Sequence, residues 1–371
     1  MKARYQYRFY PTDQQKQRLA QLFGCVRVVY NDALSICKNA EKNPTIGDLQ
    51  KIVITKAKKT PEREWLKGVC ASTLQQSIAD LGVAFKNFFD SCSGKRKGKK
   101  AGYPKFKKKE SAQSARFVGT NFNISSKSVY MVGVGNVQPV WSRELPSLPS
   151  SVTVIKDCGN RYFLSFVVEI DAPQIPAQNQ SVGIDLGIKT FAALSNGEMV
   201  QAPNLKAADR KVRKLQKQLA RCKDGSNRRN VIKLKIAKVH NKIKDARKDF
   251  QHKLSTRLVV EFQNVVLEDL NVSGMMKNRK LSRAIGNQAW YQFRALLEGK
   301  CGKFGRTFKV ISRWEPTSQT CSSCGFRWGK LDLKVRSVKC LNCGTEHDRD
   351  LNAAINIQTV GMGHRHDLKR A

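Results

Sequence analysis

Two C-x-x-C pairs near the C-terminus constrain this chain more than any other feature. Cys321 and Cys324 form the first, Cys340 and Cys343 the second, and fifteen residues lie between them. That spacing reads as a four-cysteine zinc site. Gly325 and Gly344 directly follow the second cysteine of each pair. The tight turns they permit let two thiolates from each pair converge on one tetrahedral ion. Four sulfur ligands leave no open coordination position, so this zinc folds the segment and does not catalyse. Asp348-Arg349-Asp350 follows at once, then the helical pattern Leu351-Asn352-Ala353-Ala354.

Charge narrows the partners. Among 371 residues, 68 Lys and Arg face 29 Asp and Glu, for a formal net charge of +39. Such a chain repels itself unless polyanions are present. Nucleic acid is the leading partner, and a membrane surface is the plainer competitor. No run approaches the roughly 20 apolar residues of a spanning helix. The opening stretch shows no apolar segment of a signal peptide. The 11 cysteines, an odd count and scattered apart from the paired four, suit a reducing compartment. The length suits two or three domains.

The first half alternates between element types. Tyr5, Tyr7 and Phe9 share one face of a strand over 3–10, half-buried by its alternation. Thr12 and Gln15 make a capping box, and Leu19, Leu22, Phe23, Val26, Tyr30, Ala33 and Leu34 continue at helical spacing. Further helices are expected over about 45–58 and from near Ser72. They read either as a plain three-helix bundle or as a groove-reading module. Gln75 and Gln76 are candidate base-edge contacts in the second reading, and solvated polar residues in the first. Residues 95–109 hold nine Lys or Arg. A solvated linker is the usual meaning of such a run. Interleaved Tyr103 and Phe106 favour phosphate contact instead, through Lys95, Arg96, Lys97, Lys105 and Lys107. Thr120 is a further candidate contact. From about 114 to 170 the pattern is β, with a hairpin turn at Asp157–Asn160. With the first strand, these segments are expected to close a small barrel. The polar, proline-bearing stretch 172–180 is a candidate domain boundary.

The second half sets acids into apolar strands. Asp185 interrupts Val182-Gly183-Ile184, and Glu268 and Asp269 end Val265-Val266-Leu267. A lone acid in such a strand is costly unless it is paired or binds a cation. Two basic helical patterns lie between, over about 206–221 and 230–260. Residues 273–283 read as a mobile loop, 289–304 as a helix and 307–312 as a strand. Asp185, Glu268 and Asp350 each border an apolar segment that should bury against the others. Converging carboxylates raise one another's pKa unless cations are present. Two Mg²⁺ ions about 4 Å apart resolve the repulsion and suit phosphodiester hydrolysis. On pattern alone Asp348 rivals Asp350 for the third position.

The segments VGIDLGIKTFAALSNG, VVLEDLNVSGM and TSQTCSSCG…CLNCGTEHDRDLNAAINI closely resemble TnpB, the transposon-encoded family ancestral to type V CRISPR effectors. YQYRFYPTDQQ…YNDAL and GYPKFKKK extend the resemblance to nearly the whole chain. It implies an RNA-guided DNA endonuclease of α/β class with a β-barrel and a helical lobe. Its wedge-type barrel would span 1–10 and 100–178, and its recognition helices 11–99. An RNase H-like RuvC domain would span 179–314 and 346–360, with a zinc-ribbon, target-nucleic-acid-binding insert at 315–345 and a basic tail at 361–371. The family's acids map onto Asp185, Glu268 and Asp350, its third acid preceding x-N-A-A and so selecting Asp350. Its zinc ligands map onto Cys321, Cys324, Cys340 and Cys343. The implied partners are a guide RNA from the transposon end and double-stranded target DNA beside a short motif, in a prokaryotic cytoplasm, nucleoid-associated when bound to DNA. An RNA-guided repressor that binds without cutting is the alternative.

Overall fold

The structure, a computed structural model, describes residues 1–96, 100–171, 175, 176, 178–332 and 334–364. The chain forms two compact units. One comprises Met1–Asp171 with Asn227–Lys238, the other Ala172–Ser226 with Val239–Ala371.

In the first unit, strand β1 (Lys2–Phe9) buries Tyr7 and Phe9 on one face. Thr12 then caps helix α1 (Asp13–Asn39). Its hydroxyl accepts from the Gln15 amide at 3.3 Å, and Gln15 Oε1 accepts from the Thr12 amide at 3.1 Å. This is the reciprocal capping box, which satisfies two otherwise orphaned donors. The expected apolar stripe of α1, from Leu19 to Leu34, is buried. The second expected helix is less regular. Helix α2 (Ile46–Gln50) passes into a π-helical turn over Lys51–Lys56 and a 3-10 turn over Ala57–Lys59. The run Ile52-Val53-Ile54-Thr55 is β-branched and crowds a regular helix, and the widened turn buries Val53 and Ile54 side by side. Helix α3 (Ala71–Cys92) buries Leu74, Ile78, Leu81 and Phe85.

Seven strands follow: β2 (Gln113–Val118), β3 (Phe122–Ile124), β4 (Val129–Met131), β5 (Gly135–Val137), β6 (Pro139–Val140), β7 (Ser151–Lys156) and β8 (Tyr162–Glu169). Five strands form an antiparallel sheet in the order β2-β7-β8-β1-β6, and β3-β4-β5 form a second sheet. Among the described residues no ladder joins β2 to β6. The β7–β8 hairpin turns where expected. Asp157 Oδ1 accepts from the amides of Gly159 and Arg161, and Asn160 takes a left-handed φ of 60°, a conformation asparagine tolerates.

The second unit is built on a mixed sheet. Its elements are β9 (Ser181–Leu186), β10 (Ala192–Leu194), β11 (Met199–Val200), α4 (Lys206–Ala220), the part of α5 (Asn227–Glu261) from Val239 onward, β12 (Asn264–Glu268), α6 (Val272–Met275), α7 (Ser282–Gln288), α8 (Trp290–Lys303), β13 (Thr307–Ile311), β14 (Ser337–Lys339), β15 (Glu346–Asp348) and α9 (Arg349–Gly361). The strand order is β11-β10-β9-β12-β13. Strands β9 to β11 run antiparallel, and β9, β12 and β13 run parallel. Parallel neighbours need long crossovers, which the intervening helices provide. The stretch 273–283 is not one continuous loop. Asn271 Oδ1 accepts from the Gly274 amide and caps α6, and α7 starts at Ser282.

Strand alternation divides this sheet by face. Val182, Ile184, Val265 and Leu267 point to a core with Leu258, Phe293 and Leu297. Gly183 and Val266 point to the other face, against α9. A Cβ at Gly183 would collide with the Ala354 carbonyl and the Gln358 amide, and one at Gly361 with Val266. Glycine at these two positions lets helix backbone rest directly on the strands.

Candidate functional site

This packing brings the three expected acids together. Asp185 is two residues beyond Gly183, so it shares the α9 face of β9. Glu268 is two residues beyond Val266 and shares the same face of β12. In the parallel ladder, Leu267 is opposite Ile184, so the next residues on each strand are Glu268 and Asp185. Helix α9 runs back over them. Its Ala354 lies over Gly183, which puts Asp350, one turn earlier, over Asp185.

The electrostatics register this convergence. Burial, followed by the charges of Asp350 and Glu268, pushes the Asp185 carboxyl from 3.8 up to about 7. Arg349 partly opposes the rise. Burial also raises Glu268, with a smaller contribution from Asp269. The neighbouring acids are occupied elsewhere. Asp269 is held by Arg294 at 2.6 Å and by Arg313, and these hydrogen bonds lower its pKa. The Asp348 carboxylate caps α9, accepting from the amides of Asp350 and Leu351 at 3.0 Å. Asp350 receives Arg336 Nη1 at 3.1 and 3.2 Å. Neither the capping role of Asp348 nor the Arg336 contact was legible in the residue pattern. Three oxygen-donor carboxylates that repel one another fit a hard divalent cation such as Mg²⁺.

The cysteines close into a second centre. The four sulfurs lie within 4.8 Å of one another. Cys321 and Cys343 are 3.7 Å apart, and Cys324 and Cys340 are 3.6 Å apart. Four sulfurs at 2.3 Å from a tetrahedral zinc would be separated by about 3.8 Å, so the cluster is compatible with a structural zinc site. The two turns match. Gly325 and Gly344 donate to the carbonyls of Cys321 and Cys340, with φ of 76° and 71°. These left-handed conformations explain the glycines. Cys321 and Cys340 are buried, and Cys324 and Cys343 are exposed. His347, absent from the sequence reasoning, puts Nε2 3.1 Å from the Cys321 sulfur. Its position on β15, one residue before the helix cap, is the only signal.

Two buried asparagines bind this cluster to α9. Asn356 Nδ2 donates to the carbonyls of Thr317 and Thr320 at 2.8 and 2.7 Å. Asn352 Nδ2 donates to Thr320 at 2.8 Å, and its Oδ1 accepts from the Ser322 amide at 2.8 Å. Their i, i+4 spacing puts both on one helix face. The helix that carries Asp350 is thereby locked to the turn that carries Cys321.

The candidate nucleic-acid contacts are more scattered. Gln75 is exposed on α3 and Gln76 half-buried. Lys95, Arg96 and Lys105 are exposed, as is Thr120 in the 3-10 turn Gly119–Asn121. Lys97 lies outside the described residues. Tyr103 packs edge-on against Phe85 and Phe88, with centroids 5.4 Å away. Lys38 Nζ lies 4.5 Å over the Phe106 ring. Lys107 lies 4.0 Å over the Tyr30 ring, and burial lowers its pKa to about 8. Asn31 clamps the Lys107 backbone at both its N–H and C=O.

Comparison with known proteins covers nearly the whole chain. Residues 165–279 match the family described as "Probable transposase" (OrfB_IS605). Residues 290–357 match "Cas12f1-like, TNB domain", and residues 1–43 match "Helix-turn-helix domain". In this structure, 1–43 hold β1 and the single long helix α1. A protein of Streptomyces pristinaespiralis named "Putative RNA-guided DNA endonuclease" is 41% identical over 370 residues, covering 98% of this chain and 90% of its own. An Escherichia coli protein of the same name, with InsQ added, is 29% identical over 379 residues, covering 96% and 92%. A Cas12f1 chain, solved by cryo-electron microscopy with sgRNA and target DNA, shares the fold. It has a TM-score of 0.56 and 14% identity, covering 96% of this chain and 98% of that one.

Proposed function

The chain belongs to the TnpB family, and from that premise we propose that it is an RNA-guided DNA endonuclease whose cutting centre is Asp185, Glu268 and Asp350. The observation that carries this reading is the meeting of the three carboxylates on one face of the mixed sheet, with Asp185 held near a pKa of 7. The mixed sheet, crossed by α9 and backed by α5 and α8, supports the RuvC-like, RNase H-type fold implied by the resemblance. In this reading 179–314 and 346–360 are the nuclease domain, and 315–345 the zinc ribbon. Residues 1–10 and 100–178 are the wedge strands, and 11–99 the recognition helices. Residues 361–371 are the basic tail, of which 365–371 lie outside the described residues.

The carboxylates would hold two Mg²⁺ ions, which when bound supply an acidified water and charge stabilisation at the leaving oxygen. Asp185, flanked by the other two acids, would be the central ligand of this set. Glu268 and Asp350 approach from opposite sides, one from the sheet and one from the helix. Arg294 and Arg313 keep Asp269 from competing. Arg336 neutralises Asp350 and holds it over the sheet. The four cysteines would hold Zn²⁺ and set the height of α9 through Asn352 and Asn356. The positive charge suits phosphate contact with a guide RNA from the transposon end and with double-stranded target DNA. Guide pairing would read the target, and the protein a short adjacent motif.

The test is to express the protein with its native flanking DNA, sequence the RNA that co-purifies, and challenge the particle with a randomised-flank DNA library in Mg²⁺. Breaks at guide-matched sites beside one motif support the reading, and Asp185→Ala should abolish them while RNA is retained. Bound RNA with target occupancy but no breaks would favour an RNA-guided repressor instead. Absence of any discrete RNA would remove the guided mechanism.

A further inference from the structure

A cavity of about 540 Å³ opens in the second unit, on the α4, α5 and α7 side of the turn that follows β9. Its size is within the range of small-molecule sites. Three features of its wall are chemically distinct. The aromatic floor is the half-buried Phe250, seated edge-to-face on the buried Phe191 with ring centroids 4.9 Å apart. Arg247 and Gln288 line the cavity, and each keeps one polar atom without a hydrogen-bond partner. These are Arg247 Nε, a donor, and Gln288 Oε1, an acceptor, both buried from bulk water. The rest of each side chain is committed: Arg247 Nη1 donates to the Gly286 carbonyl and Gln288 Nε2 to the Ile188 carbonyl, both at 3.1 Å. The rim carries Lys189, Lys206, Lys280 and Arg283, all exposed and none in an ion pair among the described residues. The one acid in the lining, Asp209, is taken up by Asn287 Nδ2 at 2.9 Å.

We infer that this cavity captures one unpaired nucleotide of a single-stranded nucleic acid. The aromatic floor offers a surface for the base. The unmet donor and acceptor have no surface open to the cavity as it stands, and a turn of the Arg247 and Gln288 side chains would present them to the mixed edge that every base carries. The rim cations meet the phosphates on either side. An apolar ligand would leave Arg247 and Gln288 unsatisfied, and a bare anion would leave the aromatic floor unused. A base joined to its phosphates uses all three features. The strand is RNA or DNA, since both carry this chemistry. The site does not depend on the carboxylates, and its test needs no cleavage.

The probes are single-stranded 20-mers of RNA carrying 4-thiouridine and of DNA carrying 4-thiothymidine, each at one internal position. The full-length protein is irradiated with either probe in EDTA, and cross-linked peptides are mapped by mass spectrometry. The expected result is a dominant cross-link in the peptides bearing Phe191, Phe250 or Gln288. A cross-link with only one probe assigns the strand, and cross-links with both show a site open to either. Ala284→Trp, which fills the cavity from α7, should lower that cross-link at least fivefold. The rim variant Lys280→Ala/Arg283→Ala needs no change in the cavity wall. It should lower the cross-link and reduce the log–log salt slope of binding by about 1.4, the loss of two phosphate contacts to a single strand. Cross-links dispersed over the basic surface, or a pocket cross-link indifferent to the rim variant, would overturn the inference.

Discussion

At the scale of single residues, the site stores repulsion. Asp185 carries a folded pKa near 7, against 3.8 for a free aspartate. The metal-free protein therefore takes up a proton at this group on folding between about pH 4 and 7. A raised carboxyl contributes fully below the unfolded pKa and loses that contribution as pH rises through the folded one. Asp185→Asn removes the buried charge. Thermal melts in EDTA at pH 8 should show the variant more stable by roughly 1–3 kcal/mol, after screening by solvent. The gain should vanish near pH 4, and a gain independent of pH would contradict the charge argument. Asn356 acts in the opposite sense. Its truncation to Ala takes the short donor from the buried Thr317 and leaves the Thr320 carbonyl with Asn352 alone. We expect a loss of about 1–3 kcal/mol, measured by urea denaturation, with zinc content retained. Cys324→Ser should reduce zinc content itself, measured by metal analysis of the purified protein, and weaken target-DNA binding. Full zinc occupancy in that variant would dismiss the four-cysteine site.

At the scale of elements, α9 is the part through which the two centres communicate. One face of the helix presents Ala354 and Gln358 backbone to Gly183, and another presents Asn352 and Asn356 to the cysteine-bearing turn. Gly183→Ala adds one methyl group where the helix backbone already sits. Overpacking of this kind costs about 1–3 kcal/mol. Because the displaced helix carries Asp350, guided cleavage in Mg²⁺ should fall by at least 10²-fold while co-purified RNA is unchanged. Cleavage at the parental rate would mean that the close approach does not position the acid. The N-terminal cap is a control of the ordinary kind. Thr12→Ala should cost about 1 kcal/mol in a denaturant melt and leave cleavage intact.

At the scale of the whole molecule, charge and topology were legible to different degrees. The excess of cations and the paired cysteines are one-dimensional properties, so the expectation of a polyanionic partner and of a ribbon of two matched turns followed from them directly. So did the capping box, the buried stripe of α1 and the β7–β8 hairpin, whose causes lie within a few residues of each other. The α2 region was harder because its β-branched run is tolerated only by a widened helical turn that burial selects. The two helices within and beside 273–283 were missed because Asn271 capping is a weak local signal. Asp185 and Glu268 were visible as costs to their own strands and Asp350 as an acid at a helix start, yet the residue pattern did not choose among neighbours. Asp348 and Asp350 differ only in which one caps the helix, and Glu268 and Asp269 only in which face the sheet buries. Those choices depend on partners 14 to 44 residues away in sequence, such as Arg336 for Asp350 and Arg313 for Asp269. By itself the chain order determined the inventory: four sulfurs, a set of costly carboxylates, and a charge that demands a polyanion. Only the tertiary structure decided which carboxylates meet, because their convergence rests on a helix lying flat on two strands. That approach is set by two glycines whose reason appears only when the helix is in place.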